Sequence, residues 1–218
     1  IRCPSRSTQL KIYICLFITI FVKGKVRERI LRILLTHPNG SLYQVLISKE
    51  AQCSQPWAHS FLHRLEKKKL IKGTKVIDVE GLFSYWLEIN KYPKYREYNV
   101  QNPLEILKKT NLRYALTTYY GENFTQNYLF PSRVEIYIEE KDAVAWHELL
   151  TANGLVGKGN FRLLLDDKHV FYHNIKKKDV RIVSTPQLIL DLLREEGVAA
   201  EAAYMLMKSE YHDLISKI

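Results

Sequence analysis

Cysteine is scarce in this chain: Cys3, Cys15 and Cys53 are three among 218 residues, widely spaced and without a CxxC pair. That excludes a disulfide framework and supplies no zinc-ligand spacing, so a reducing, cytoplasmic setting and no metal are expected. Also missing are a Gly-rich phosphate loop, a GxSxG elbow and an HExxH helix, which removes the common nucleotide-binding and hydrolytic signatures. The stretch Ile12 to Val22 (IYICLFITIFV) is nearly all apolar. It is too short for a bilayer, which needs about 20 helical residues. Basic residues precede it, but no small-residue cleavage site follows. Residues 1–23 therefore read as a buried strand or a packed helix, either able to serve as a dimer contact, and no membrane partner is expected.

Acidic residues are thin in the first half only. Residues 1–100 hold 18 Lys and Arg against 7 Asp and Glu, and residues 101–218 hold 15 against 16. The net charge of +10 thus sits in the first half, as it would if that half met a polyanion. A merely basic, solvated surface gives the same count.

Periodicity divides residues 24–90 into helix, helix, helix and hairpin. From Gly24 to Thr36, Val26, Ile30, Ile33 and Leu34 recur at helical spacing with Arg27, Arg29 and Arg32 interleaved. His37-Pro38-Asn39-Gly40 stops that helix. Ser41 is positioned to cap a second helix carrying Leu42, Val45, Leu46 and Ala51. Ser54 caps a third, with Pro56 tolerated in the first turn. Its Ala58, Phe61, Leu62 and Leu65 form one buried stripe. Gln55, Pro56, His59, Ser60 and His63 fall off the stripe, and Arg64, Lys67, Lys68 and Lys69 follow. Lys72 to Val79 and Leu82 to Ile89 alternate apolar and polar residues around Glu80-Gly81, which predicts a hairpin.

The stretch KEAQCSQPWAHSFLHRLEKKKLIK resembles the winged-helix regulators of the MarR-like and related groups, whose pattern is close to KEAGVSxxTVSRxLxxLEExGLI. Lys49, Glu50, Ala51, Cys53, Ser54, Leu62, Leu65, Glu66, Leu70 and Ile71 stand at matching places. Gln52 and Lys69 replace two glycines of the pattern. The resemblance implies a winged helix-turn-helix that binds double-stranded DNA, with a recognition helix from about Ser54 to Lys68 in the major groove. Gln55, Trp57, His59, Ser60 and His63 are then candidates for base-edge contact. Lys49, Arg64, Lys67, Lys72 and Lys75 are candidates for phosphate contact. The alternatives are solvated rings for His59 and His63, a packed Trp57, and a solvated helix end at Lys67 to Lys69.

Asn90 to Pro103 carries two prolines and three tyrosines without core periodicity, and residues 91–103 read as an interdomain linker. Beyond it, residues 104–218 mix helices and strands, as in a small α+β domain. Helices are expected at Pro103 to Lys109, Thr117 to Tyr128, Lys141 to Ala152, Thr185 to Glu196 and from Val198 on, with Gly197 as a C-cap. Strands are expected at Arg133 to Glu139, Phe161 to Leu165 and within Val170 to Val183. Arg113 to Thr117 fits a strand or a helix entry.

Two segments of this half carry a second resemblance. YALTTYYGENFTQNYLFPSRVEIYIEE looks like a nucleotidyltransferase-like segment. VRIVSTPQLILDLLREEGVAAEAAYMLMK resembles the closing segment of the AbiEi-type antitoxins of type IV toxin–antitoxin systems, which join a winged helix to such a domain. The resemblance implies a repressor, a homodimer on its operator, and a nucleotidyltransferase-like toxin as partner. Where metal-binding carboxylates belong, this chain has Arg133, Val134 and Glu135, and the phosphate-side Gly-Ser is Thr117-Thr118. Glu135 with Asp166 or Asp167 makes a poor Mg²⁺ site. The expectation is a domain without catalysis or cofactor. The other readings are a nucleotidyltransferase whose winged helix docks nucleic acid, and a protein-interaction module.

Overall fold

The computed structural model describes residues 25–215, so the apolar stretch Ile12 to Val22 lies outside the described residues. Helix α1 (residues 25–36) is buried on most of its circumference, at Val26, Glu28, Ile30 to Leu35. A helix covered nearly all round has a packing partner on more than one side. Here the second partner is the C-terminal half. Lys25 Nζ lies 2.6 Å from Asp166, Arg29 Nη2 lies 2.9 Å from Asp167, and Arg32 donates to Gln187 at 2.7 and 3.0 Å. Three of the basic residues that make up the first-half charge excess are therefore engaged in internal contacts.

Helices α2 (Gln44–Glu50) and α3 (Gln55–Lys67) follow, joined by Ala51 to Ser54. The α3 stripe of Ala58, Phe61, Leu62 and Leu65 is buried as its spacing predicts. Helix α2 is rolled relative to the expected stripe. Ile47 and Ser48 face inward, Val45 and Leu46 are exposed, and Tyr43 rather than Ser41 occupies the N-cap position.

The hairpin is also displaced. Strands β1 (Ile71–Lys72) and β2 (Lys75–Val76) pair antiparallel around Gly73-Thr74, not around Glu80-Gly81. Asn39 bridges to Lys75, and Val76 N–H donates to the Pro38 carbonyl at 2.9 Å. Leu82 to Ile89, expected as a strand, belongs to helix α4 (Val79–Ile89). Val79, Leu82, Phe83 and Trp86 are all buried, at i, i+3, i+4 and i+7. Asp78 caps the helix by accepting from Gly81 N–H at 2.8 Å. The period-2 alternation was coincidental, and the buried i, i+3, i+4 stripe with its cap decides the outcome.

The segment expected to be a linker contains β3 (Lys94–Val100), which pairs with β6 (Gly154–Val156) on one side and β7 (Phe161–Asp166) on the other. Tyr98 and Val100 supply its buried face. The rest of the half runs α5 (Pro103–Lys109), β4 (Ala115–Thr117), α6 (Thr118–Thr125), β5 (Val134–Glu139), α7 (Ala143–Thr151), β6 and β7. Strands β8 (Ile175–Lys177) and β9 (Val180–Ile182) follow, then helices α8 (Thr185–Glu195), α9 (Gly197–Glu210) and α10 (His212–Ile215). Gly197, with φ of +54°, opens α9 rather than capping α8.

The strands form one mixed sheet of seven in the order β6-β3-β7-β5-β4-β9-β8. β5 runs parallel to β7 and β4 parallel to β9, and the other pairs are antiparallel. The chain is thus α+β, with one continuous apolar core from α1 to Tyr211. Among the described residues no helix is long and apolar enough to cross a membrane.

A buried polar network ties α1 to this core. Asp191 on α8 accepts from Thr117 (2.6 Å), Tyr137 (3.0 Å), Gln187 (2.9 Å) and Arg194 (3.1 Å). Gln187 in turn receives Arg32, whose Nη1 also donates to the His169 carbonyl at 3.2 Å. Burial and the Arg32 guanidinium push the His169 ring down to about 3, so it stays neutral. Burial raises the Glu28 carboxyl to about 7 despite Lys25 nearby. Each charge here is hydrogen-bonded, as burial requires.

Candidate nucleic-acid interface

Helix α3 presents two parallel lines of side chains to solvent. Gln55, His59, His63 and Lys67 stand four residues apart, as do Pro56, Ser60, Arg64 and Lys68, and all eight are exposed. The buried stripe on the opposite side holds this face in place. His59 and His63 lie with parallel rings, centroids 6.4 Å apart, and His59 Nδ1 is 3.0 Å from Gln44 Oε1 at the start of α2. Trp57 departs from the other base-edge candidates. It is half-buried, and its ring lies 5.6 Å from that of Phe61, so it is part of the apolar rim.

All the phosphate candidates are exposed: Lys49 in the last turn of α2, Arg64 and Lys67 on α3, and Lys72 and Lys75 on the hairpin. Lys68 and Lys69 join them. Among the described residues none of these seven makes an ion pair, whereas Lys25 and Arg29 of α1 are paired with Asp166 and Asp167. Arg64 and Lys68 rest over the Phe61 and Tyr85 rings at 5.5 and 5.4 Å. Glu66 is the acid within this surface, and its Oε1 accepts from Gly73 N–H at 2.9 Å. Unpaired cations beside a line of polar side chains suit phosphate neutralisation next to a readable groove.

The turn geometry bears on the two replaced glycines. Gln52 and Lys69 have φ of +56° and +60°, in the left-handed region that favours glycine. Periodicity alone did not reveal the hairpin tip at Gly73-Thr74 or the place of Gln44 against His59. The turn signal was present in Lys72-Gly73-Thr74-Lys75, masked by apolar alternation that continues to Val79.

On the sheet, the carboxylate of Glu135 is engaged by cations. Glu135 on β5 is fully buried. Arg133 Nη2 and Arg162 Nη1 approach its Oε1 at 2.5 and 2.9 Å, and Thr118 Oγ1 donates to Oε2 at 2.5 Å. Arg162 also pairs with Glu97 at 2.9 Å. Strand register places Glu97, Arg162, Glu135 and Thr117 in one row across β3, β7, β5 and β4. Two guanidinium groups on one carboxylate do not fit a divalent cation. Asp166 and Asp167 are taken by Lys25 and Arg29.

Comparison with family models, with curated proteins and with solved structures finds no match to this chain.

Proposed function

We propose that the chain is a sequence-reading, double-stranded DNA-binding regulator of the antitoxin type it resembles, with a winged helix-turn-helix in its first half. The observation that carries this reading is the α3 face, where Gln55, His59, Ser60 and His63 are flanked by cations without ion-pair partners. Three features support a winged helix: the left-handed turn at Gln52, the hairpin after α3, and the isolated antiparallel bridge from Asn39 to Lys75 on that hairpin. In that arrangement α3 enters the major groove and the hairpin lies along the backbone. The base-reading set is Gln55, His59, Ser60 and His63, with Trp57 supporting α3 from its rim. A homodimer suits a palindromic operator.

The second half is read as a nucleotidyltransferase-like domain without catalysis. Its support is the Arg133 and Arg162 pairing of Glu135, which occupies the carboxylate with protein cations. It would serve dimerisation or the response to a nucleotidyltransferase-like toxin encoded alongside. A second reading, a protein-interaction module, draws on the exposed Tyr43, Val45 and Leu46 of the α2 region.

Binding of the pure protein to its own upstream duplex and to a scrambled duplex, across a salt series, tests the proposal. Five phosphate contacts give a log–log salt slope of about −4.5, and each Lys→Ala change in the set reduces it by about 0.9. His63→Ala narrows the preference between duplexes while leaving most of the salt slope. Absence of binding to either duplex refutes the DNA reading and favours a protein partner.

A further inference from the structure

We propose that His59 and His63 form a two-histidine clamp for a borderline divalent transition metal such as Zn²⁺ on the exposed face of α3. The spacing is His-Ser-Phe-Leu-His, and residues four apart on a helix have Cβ atoms about 5–6 Å apart on one face. This is the spacing by which a helix offers two imidazoles to one metal. The glutamate that would act as a base beside such a pair is absent, since Ser60 follows His59. The clamp therefore binds metal and does not hydrolyse.

The ring nitrogens are already sorted. His59 Nδ1 is engaged at 3.0 Å by the Gln44 amide oxygen, which can only accept. With Nδ1 donating to that oxygen, Nε2 is the nitrogen left for a metal. His63 Nδ1 lies 3.9 Å from Glu66 Oε2, beyond hydrogen-bond distance, with the carboxylate on the ring's Nδ1 side. Both rings are exposed on a helix anchored by Ala58, Phe61, Leu62 and Leu65. Two nitrogens at zinc-ligand distance from one ion stand roughly 3.3 Å apart in tetrahedral geometry. The rings are now parallel with centroids 6.4 Å apart, and rotation about their exposed side-chain torsions brings them together. Among the described residues no three His, Cys, Asp or Glu side chains gather for a metal. The clamp supplies two ligands and water completes the shell.

The clamp does not rest on the DNA reading. If that reading holds as well, metal occupies two base-edge residues, and Zn²⁺ weakens binding to the operator.

Zn²⁺ added to the full-length protein, followed through the imidazole nitrogen resonances and by calorimetry, tests the clamp. Before metal, His59 is expected as the Nδ1–H tautomer. With metal, the Nε2 signals of both rings are expected to move together. His59→Gln and His63→Gln should each lower affinity at this site by at least about 100-fold, and Gln44→Ala by about 10–100-fold, as for outer-shell partners. All three residues are exposed, so the variants keep the fold. Zn²⁺ that leaves the two rings unmoved, that moves one ring alone, or that binds both histidine variants as tightly as the parent overturns the proposal.

Discussion

Glycine at Gln52 or Lys69 is expected to stabilise the protein, because both residues hold left-handed backbone without being glycine. A left-handed conformation costs an L-residue about 1–2 kcal/mol. Glycine removes that cost but returns about 0.5–1 kcal/mol of unfolded-chain entropy. Little else is lost. Both side chains are exposed, and that of Gln52 makes a marginal 3.5 Å approach to Arg29. The backbone bonds from Gln52 N–H to Lys49 and from Lys69 N–H to Glu66, at 3.1 and 2.8 Å, are kept by glycine. The net gain is about 0.5–1 kcal/mol at each position, or roughly 1–4 °C in melting temperature for a chain of this size. Thermal and denaturant unfolding of Gln52→Gly, Lys69→Gly and the pair would measure it. Lys72→Gly is the control, since Lys72 is exposed in strand β1 and glycine should destabilise it. Lys69→Gly that destabilises as much as Lys72→Gly would refute the left-handed turn and remove one support of the winged-helix reading.

Other consequences concern the hairpin's support and the joint between the halves. Gly40 has φ of +74°, and a Cβ there would lie 3.0 Å from Lys75 Cβ. Gly40→Ala should therefore cost about 1–2 kcal/mol or more in denaturant unfolding and loosen the hairpin. Arg32→Met removes the buried bonds to Gln187 and the His169 carbonyl, with an expected loss of about 3 kcal/mol. A loss under about 1 kcal/mol would show that the network does not hold α1 to the sheet. Glu28 has a carboxyl raised from 4.5 to about 7 by burial, so the native state binds its proton more tightly than the unfolded chain does. Its contribution to stability is fully present below about pH 4.5 and is lost as pH rises to about 7, by up to roughly 3 kcal/mol. Glu28→Gln should flatten the stability profile over that window, as read by urea unfolding at several pH values. His169 acts oppositely: pushed down to about 3, it destabilises the native state as pH falls below about 6.5.

The sequence by itself determined what depends on local periodicity and charge. The α3 stripe, the α3 outer face, and in the second half the strands at Val134–Glu139 and Phe161–Asp166 and the helix at Thr185–Glu195 follow from spacing that burial merely enforces. It also placed the cations of Arg64 to Lys75 together. Tertiary structure decided the rest. Whether Val79 to Ile89 becomes helix or strand depends on what meets Leu82, Phe83 and Trp86, because both periods fit those residues until a partner selects one face. Lys94 to Val100 is a strand because β6 and β7 flank it, which tyrosines, charges and a nearby proline do not announce. Lys25, Arg29 and Arg32 look like part of a basic surface until acids and amides some 140 residues away take them up. Long-range pairing with Arg162 likewise closes Glu135, together with its neighbour Arg133, while the α3 and hairpin cations stay without ion-pair partners.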